Sequence, residues 1–219
     1  MIHLVSDILF YSYLLFGVIY LYILLFKSFK LKYLAEISGI KPYVYLLIFG
    51  AFYEVIFTVI LRVPSAYWVT PYTLFEFLTL SYFFSKVLKS YRLIFRFFMV
   101  IFIMFFFASL FFWNLENHMK IEAYHLALET IFIFTYTVLW FKDLFKKPEI
   151  VPLWQTPAFY FITGNVLYFT GCIFLFLFID VIYKSSGLIS KYWILALFLG
   201  FIMRIMIIKG LLKATVKKP

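Results

Sequence analysis

The chain reads as long apolar runs broken by short polar clusters, with little alternation between the two. Cutting at the charged clusters leaves runs at about 3–26, 43–61, 68–88, 93–113, 121–141, 157–180 and 190–211. A stretch of roughly 20 predominantly apolar residues is long enough to cross a bilayer as a helix. A run that is apolar all round suits a helix with no wet face. The pattern therefore predicts an all-α fold, a polytopic membrane protein with a bundle of seven transmembrane helices forming one domain over 1–219. The third and fourth runs meet across a very short turn within "SKVLKSYRLIFR". The longest connection, 27–42, contains "KLKYLAEISGIK" and is expected to lie along the membrane surface as an amphipathic piece. No connection could hold a soluble domain, which needs about 50 residues or more.

Composition narrows the class further. Hydrophobic residues make up 66% of the 219, aromatics 25% and charged residues 14%, and mean hydropathy is +1.02. A soluble globule carries about half apolar and about a quarter charged residues. The net charge of +10 would suggest nucleic acid if the basic residues formed one surface, but they sit at the ends of the apolar runs. Fifteen of the twenty Lys and Arg fall on one set of connections and the tail, around Lys27, Lys86, Lys142 and Lys213. The other side has Arg62, Lys120, Lys184 and Lys191. Cytoplasmic loops carry the excess of Lys and Arg, so the N-terminus is expected outside and the C-terminus in the cytoplasm. The basic residues then face an anionic leaflet, and no nucleic-acid partner is expected. Trp68, Trp113, Trp154 and Trp193 fall near run ends, where an aromatic belt belongs. No Lys or Arg precedes the first run, so it is expected to remain as a span, not to act as a cleaved signal. The single cysteine, Cys172, can form no intrachain disulfide and reads as a small buried hydrophobe.

Against this background the acids inside the runs stand out. Glu54, Glu76 and Glu129 each lie about eight residues from the outer boundary. That places three carboxyl groups in one layer, roughly 12 Å deep at 1.5 Å per residue. His125 precedes Glu129 by four residues and follows Glu122 by three, so these share a helix face. Tyr72 precedes Glu76 by four in the same way. Arg204 and Asn165 are expected deeper, giving an acidic outer half and a polar inner half. Ionised groups inside a bilayer cost about 2.5–3.5 kcal/mol each on insertion scales and usually face a bundle interior or wet cavity. One arginine does not neutralise three carboxylates, so at least one acid is expected to carry a proton. Two uses compete: a polar network that fixes helix register, or an outward-facing acidic pocket lined by Glu54, Glu76, Glu129, His125 and Tyr72, with Asn165 and Arg204 below.

Several chemistries lack their residues. Glu122-Ala-Tyr-His125 matches the Glu-x-x-His pair of carboxylate-bridged di-metal bundles, but there is one copy, and the other histidines are His3 and His118. No metal or other cofactor is expected. No serine has nucleophile-elbow glycines around it, so one sequence gives no positive sign of a Ser–His–Asp arrangement and does not exclude one. Retinal would want a lysine mid-way along the last run, whereas Lys191 and Lys209 lie at its ends. Paired halves and broken helices, frequent in transporters, are not evident.

"TPYTLFEFLTLSYFF", "YHLALETIFIFTY" and "PAFYFITGNVLYFTGCIFLFLF" followed by "YWILALFLGFIM" give the chain, from about residue 68 onward, an organisation that resembles small seven-helix bacterial membrane proteins. Some of these are sensory modules encoded near or fused to signalling proteins. The resemblance implies a bacterial inner-membrane location and a sensor or receptor-like role. A small cationic or polar ligand would bind in the pocket, and a signalling partner protein would read the cytoplasmic loops. Proton- or cation-linked transport, and a structural subunit of a membrane complex, are the alternatives.

Overall fold

In the computed structural model, residues 2–115, 117–146, 152–177 and 188–216 are described. The predicted end of the sixth span beyond Leu177, and the side chain of Trp193, lie outside the described residues. Seven α-helices occur among the described residues: α1 (Ile2–Phe26), α2 (Leu34–Tyr53), α3 (Ala66–Val87), α4 (Arg92–Leu110), α5 (His118–Phe145), α6 (Pro157–Leu177) and α7 (Leu188–Ala214). Each covers most of one predicted run. In a bilayer every backbone N–H and C=O must be satisfied inside the segment, which a helix does.

Five stretches are long and apolar enough to cross a membrane: Leu31–Phe57, Lys89–Leu110, His118–Phe145, Pro157–Leu175 and Ile194–Ala214. Tyr11–Phe26 of α1 is apolar but shorter. The 22-residue α3 carries Thr70, Thr73, Glu76, Thr79 and Lys86, and these polar side chains set it apart. Long apolar helices in this number are compatible with a multi-pass membrane protein.

The helices form a ring. α1 packs on α2, α2 on α3, α3 on α5, α5 on α6, α6 on α7, and α7 returns to α1. α4 stands outside it, against α3 and α5. α1 and α7 run in the same direction: Tyr13 Oη donates to the Leu197 carbonyl (2.6 Å) and Tyr20 Oη to that of Arg204 (3.0 Å). Beyond both helices Phe29 and Thr215 form an isolated antiparallel bridge. It is flanked by Lys30 N–H to Ala214 O (2.8 Å) and Val216 N–H to Ser28 O (2.9 Å). α6 and α7 come closest. A Cβ on Gly164 would lie 3.2 Å from the Met203 carbonyl, and one on Gly210 3.0 Å from that of Pro157. Small residues let backbones approach where lipid supplies no hydrophobic drive between helices.

Toward the Phe29–Thr215 end the ring is filled. α2 and α6 touch across it. There the Tyr43 and Phe161 rings meet edge to face at 5.3 Å, and Phe83 lies 4.3 Å from Phe161.

One connection differs from expectation. "KLKYLAEISGIK" does not lie apart on the surface. From Leu34 it is the first part of α2, with Ile37, Gly39 and Ile40 buried. The Glu36 carboxylate accepts the Ala158 N–H at the start of α6 (2.8 Å), an anion at a helix N-terminus. The run 43–61 was cut too late because Lys41 and Pro42 resemble a boundary. Pro42 is inside the helix. At its other end α2 widens into a π-helical stretch, Glu54–Ile60.

Candidate functional site

Side chains from α1, α2, α3, α6 and α7 converge inside the ring. Glu76 of α3 is 5% exposed. Its Oε1 accepts Tyr43 Oη from α2 at 2.9 Å and Tyr72 Oη from its own helix at 3.4 Å. The Tyr43 oxygen also lies 3.5 Å from Met203 Sδ on α7. Arg204 of α7 turns back along its helix. One Nη donates to the Gly200 carbonyl (3.2 Å), and the guanidinium carbon sits 3.7 Å from the centre of the Tyr13 ring. This is close cation–π geometry. Arg204 lies within Coulombic range of Glu76, Tyr72 and Tyr43. Tyr168 of α6 lies within the same range of Glu76, Tyr72 and Tyr13.

Glu129 of α5 completes the group from the other side. It is 0% exposed, and neither carboxylate oxygen has a hydrogen-bond partner among the described residues. Glu76 and Glu122 are within Coulombic range of it.

A second polar group runs from α3 through α5 to the outlying α4. Thr73 Oγ1 donates to Glu122 Oε2 (2.8 Å). That oxygen is 4.0 Å from His125 Nδ1, and His125 Nε2 is 2.8 Å from Ser109 Oγ on α4. His125 is 0% exposed, with the Phe106 ring stacked at 5.2 Å and the Phe105 ring edge-on at 5.5 Å.

The seven residues picked from the sequence thus divide. Glu76, Glu129, Tyr72 and Arg204 come together. His125 does not join them, because its ring turns to Ser109 and Phe106 of α4. Glu54 is not in the layer either. Tyr53 stacks on Trp68 at 4.6 Å, and Trp68 precedes Glu76 by eight residues on α3, or ~12 Å along the axis. Counting inward from the connection misplaced Glu54, because the π turns and the packing of Gly50 on Tyr72 set the register. Arg204 is not a separate deeper layer, since its long side chain reaches back to Tyr13 and the Glu76 group. Asn165 stays on α6: Nδ2 donates to the Phe161 carbonyl (2.8 Å), while Oδ1 is buried without a partner among the described residues.

The sequence reading missed Tyr13, Tyr20, Tyr43, Tyr168, Thr73 and Ser109. A signal existed for two of them. Tyr13 and Tyr20 stand seven apart on α1, one face of a helix. Among 18 tyrosines that spacing carries little weight.

No family model matches the chain, and no similar protein was found among curated sequences or solved structures.

Proposed function

We propose that this is a seven-span receptor-like module of a bacterial inner membrane, N-terminus outside, with a polar ligand site inside its helix ring. The site comprises Glu76, Glu129, Tyr72 and Arg204, joined by Tyr43 and Tyr168. A cationic or hydrogen-bond-donating ligand occupies it, and a partner protein at the cytoplasmic loops reads the result. The observation that carries this is Glu129, fully buried with neither oxygen partnered among the described residues. A carboxyl serving only to pair helices would be hydrogen-bonded, since an unmet buried polar group costs about 1–3 kcal/mol.

Two further features support the reading. Tyr72, Tyr168 and Arg204 are only half-buried, and Tyr72 lies within Coulombic range of the other two. We take this remaining surface to line the ring's interior. The α2–α6 contact closes the opposite end, so the site faces the end where Arg204 points, the outside in this topology. The carboxylates also form one lateral layer, not a file across the membrane, which favours a receptor over a conduit.

The experiment is a thermal-stability titration of the purified protein in detergent against sodium, ammonium, choline and spermidine. Ligand at about 100 times its Kd stabilises by about 2.7 kcal/mol. Wild type is expected to gain stability with at least one of these cations, and Glu129→Gln to lose the gain while keeping its own midpoint. No cation-dependent gain in wild type, or an undiminished gain in Glu129→Gln, overturns the proposal. Cation flux in reconstituted vesicles that Glu129→Gln abolishes would move the reading to transport.

A further inference from the structure

The Glu122-Ala-Tyr-His125 pair is not used by the site just described. Glu122 is held from α3 by Thr73, and His125 turns to Ser109 of α4. His125 Nε2 meets a hydroxyl, Ser109 Oγ, at 2.8 Å, and Nδ1 faces a carboxylate oxygen, Glu122 Oε2, at 4.0 Å. The carboxylate is itself held by Thr73 Oγ1 at 2.8 Å. A hydroxyl within hydrogen-bond reach of a base is the core of the arrangement that activates a nucleophile. Nδ1, at 4.0 Å from Glu122, has no hydrogen-bond partner among the described residues, so Glu122 neighbours the ring without bonding it.

The tautomer follows from what each nitrogen faces. We place the ring proton on Nδ1, the nitrogen on the Glu122 side. Nε2 is then the acceptor for the Ser109 hydroxyl. That hydroxyl oxygen is also 2.7 Å from the Phe106 carbonyl, so its single proton has two acceptors and shifts between them by rotation about Cβ–Oγ.

Position suggests what it would act on. Ser109 is one residue from the end of α4 at Leu110, and Glu122 is four residues past the start of α5 at His118. At 1.5 Å per residue Ser109 lies ~2 Å and Glu122 ~6 Å from their helix ends, while His125, seven residues into α5, lies ~10 Å in. The nucleophile is thus the member nearest the border between hydrocarbon and headgroups. Acyl esters of membrane lipids lie at that border. Ser109 itself is half-buried on the outlying helix. Beside it Phe105, Leu110 and Phe112 expose 37%, 41% and 74% of their surface, an apolar wall suited to an acyl chain.

We infer that Ser109, His125 and Glu122 form an esterase site for carboxylic esters of amphiphiles, with Ser109 as nucleophile, His125 as general base and Glu122 and Thr73 as positioning residues. Ser109 Oγ attacks the acyl carbonyl carbon as its proton passes to Nε2. The new Oγ–C bond forms, the ester C–O bond breaks, and the leaving alcohol takes the proton from Nε2. Water then adds to the acyl carbon, giving a proton to Nε2. Collapse breaks the Oγ–C bond, returns the proton to Ser109 and releases the carboxylic acid.

The test is labelling of the full-length protein in lipid nanodiscs with a fluorophosphonate, located by peptide mass spectrometry, together with p-nitrophenyl butyrate turnover. Wild type is expected to label at Ser109 in the folded state and to lose labelling on heat denaturation, which needs no variant to fold. Ser109→Ala should show no labelling, and His125→Gln should label about a hundredfold more slowly. Glu122→Gln should lower kcat by a similar factor with KM unchanged, a split that loss of a helix contact would not produce. An unlabelled Ser109 in folded wild type overturns the assignment, and so does equal labelling in folded His125→Gln.

Discussion

Tyr43→Phe tests the centre of the layer. The substitution removes one oxygen from a residue that is 0% exposed and deletes the 2.9 Å bond to Glu76 Oε1. Water has little access to replace it, because Glu76 is itself 5% exposed. For a bond to a charged group in a soluble protein the loss would be about 1.5–3 kcal/mol. Between membrane helices measured couplings average about 0.6 and reach about 1.7 kcal/mol. Tyr72 holds the same oxygen at 3.4 Å and offsets part of the loss. The expected destabilisation is therefore about 1 kcal/mol, or roughly a fivefold shift in the folding equilibrium. A double-mutant cycle with Glu76→Met isolates the pair. Tyr72→Phe in the same cycle should couple more weakly, because its bond is longer. Cys172 supplies the assay. It is the sole cysteine and 0% exposed, so a thiol-reactive dye reports unfolding in mixed micelles without an added label. A Tyr43–Glu76 coupling below about 0.3 kcal/mol, within the error of additivity, would refute the hydrogen bond and the layer built around it.

Two other outcomes follow from the packing and the charge pattern. Gly164→Val should cost about 1–3 kcal/mol of overpacking, because its Cβ would meet the Met203 carbonyl at 3.2 Å and Met206 Cβ at 3.1 Å. Gly17→Ala, whose Cβ would stand 3.9 Å from the nearest atom, Ala51 Cβ, should be near neutral by the same Cys172 assay. In a Cys172→Ala background, Leu61→Cys should react with an impermeant maleimide added to spheroplasts, and Ser28→Cys only after permeabilisation. The reverse pattern would invert the topology.

The helices were legible because each is encoded locally. A run of apolar residues between charged clusters defines a span whatever its neighbours do, and every predicted run overlaps a helix. Start points failed where a local cue misled: Lys41-Pro42 suggested an end, but tertiary contacts at Ile37 and Ile40 carry the helix through it. The layer was half legible. An acid deep in an apolar run is visible at once, which is why Glu76 and Glu129 were found. Its partners were not, because a tyrosine contributing a hydrogen bond looks like one contributing an apolar ring. Side-chain reach was not legible either. Arg204 was placed by its Cα, whereas its guanidinium is carried toward the preceding turn, as helical side chains are. The direction in which His125 faces depends on which helix packs beside α5, and that is a property of the ring.

The ring also bears on how a bound ligand could be sensed. Tyr43 belongs to both halves of the interior. Its hydroxyl holds Glu76 in the layer, and its ring packs on Phe161 in the contact that closes the other half. Tyr43 lies 3.5 Å from Met203, in the turn of α7 that carries Arg204. A ligand that draws Glu76 toward Glu129 would pull on the Tyr43 hydroxyl and shift its ring against Phe161. α6 and α7 cannot respond by sliding apart freely, because Gly164 and Gly210 hold their backbones in contact. Displacement is therefore directed to α2 and to the connector that joins it to α1. That connector is paired with the end of α7 through Phe29 and Thr215. On the proposed topology this clasp faces the cytoplasm, where a partner protein could detect its movement. A ligand produces such a shift only by its difference in affinity for two ring arrangements, so a cation that stabilises the protein without altering access to the 28–30 segment would bind without signalling.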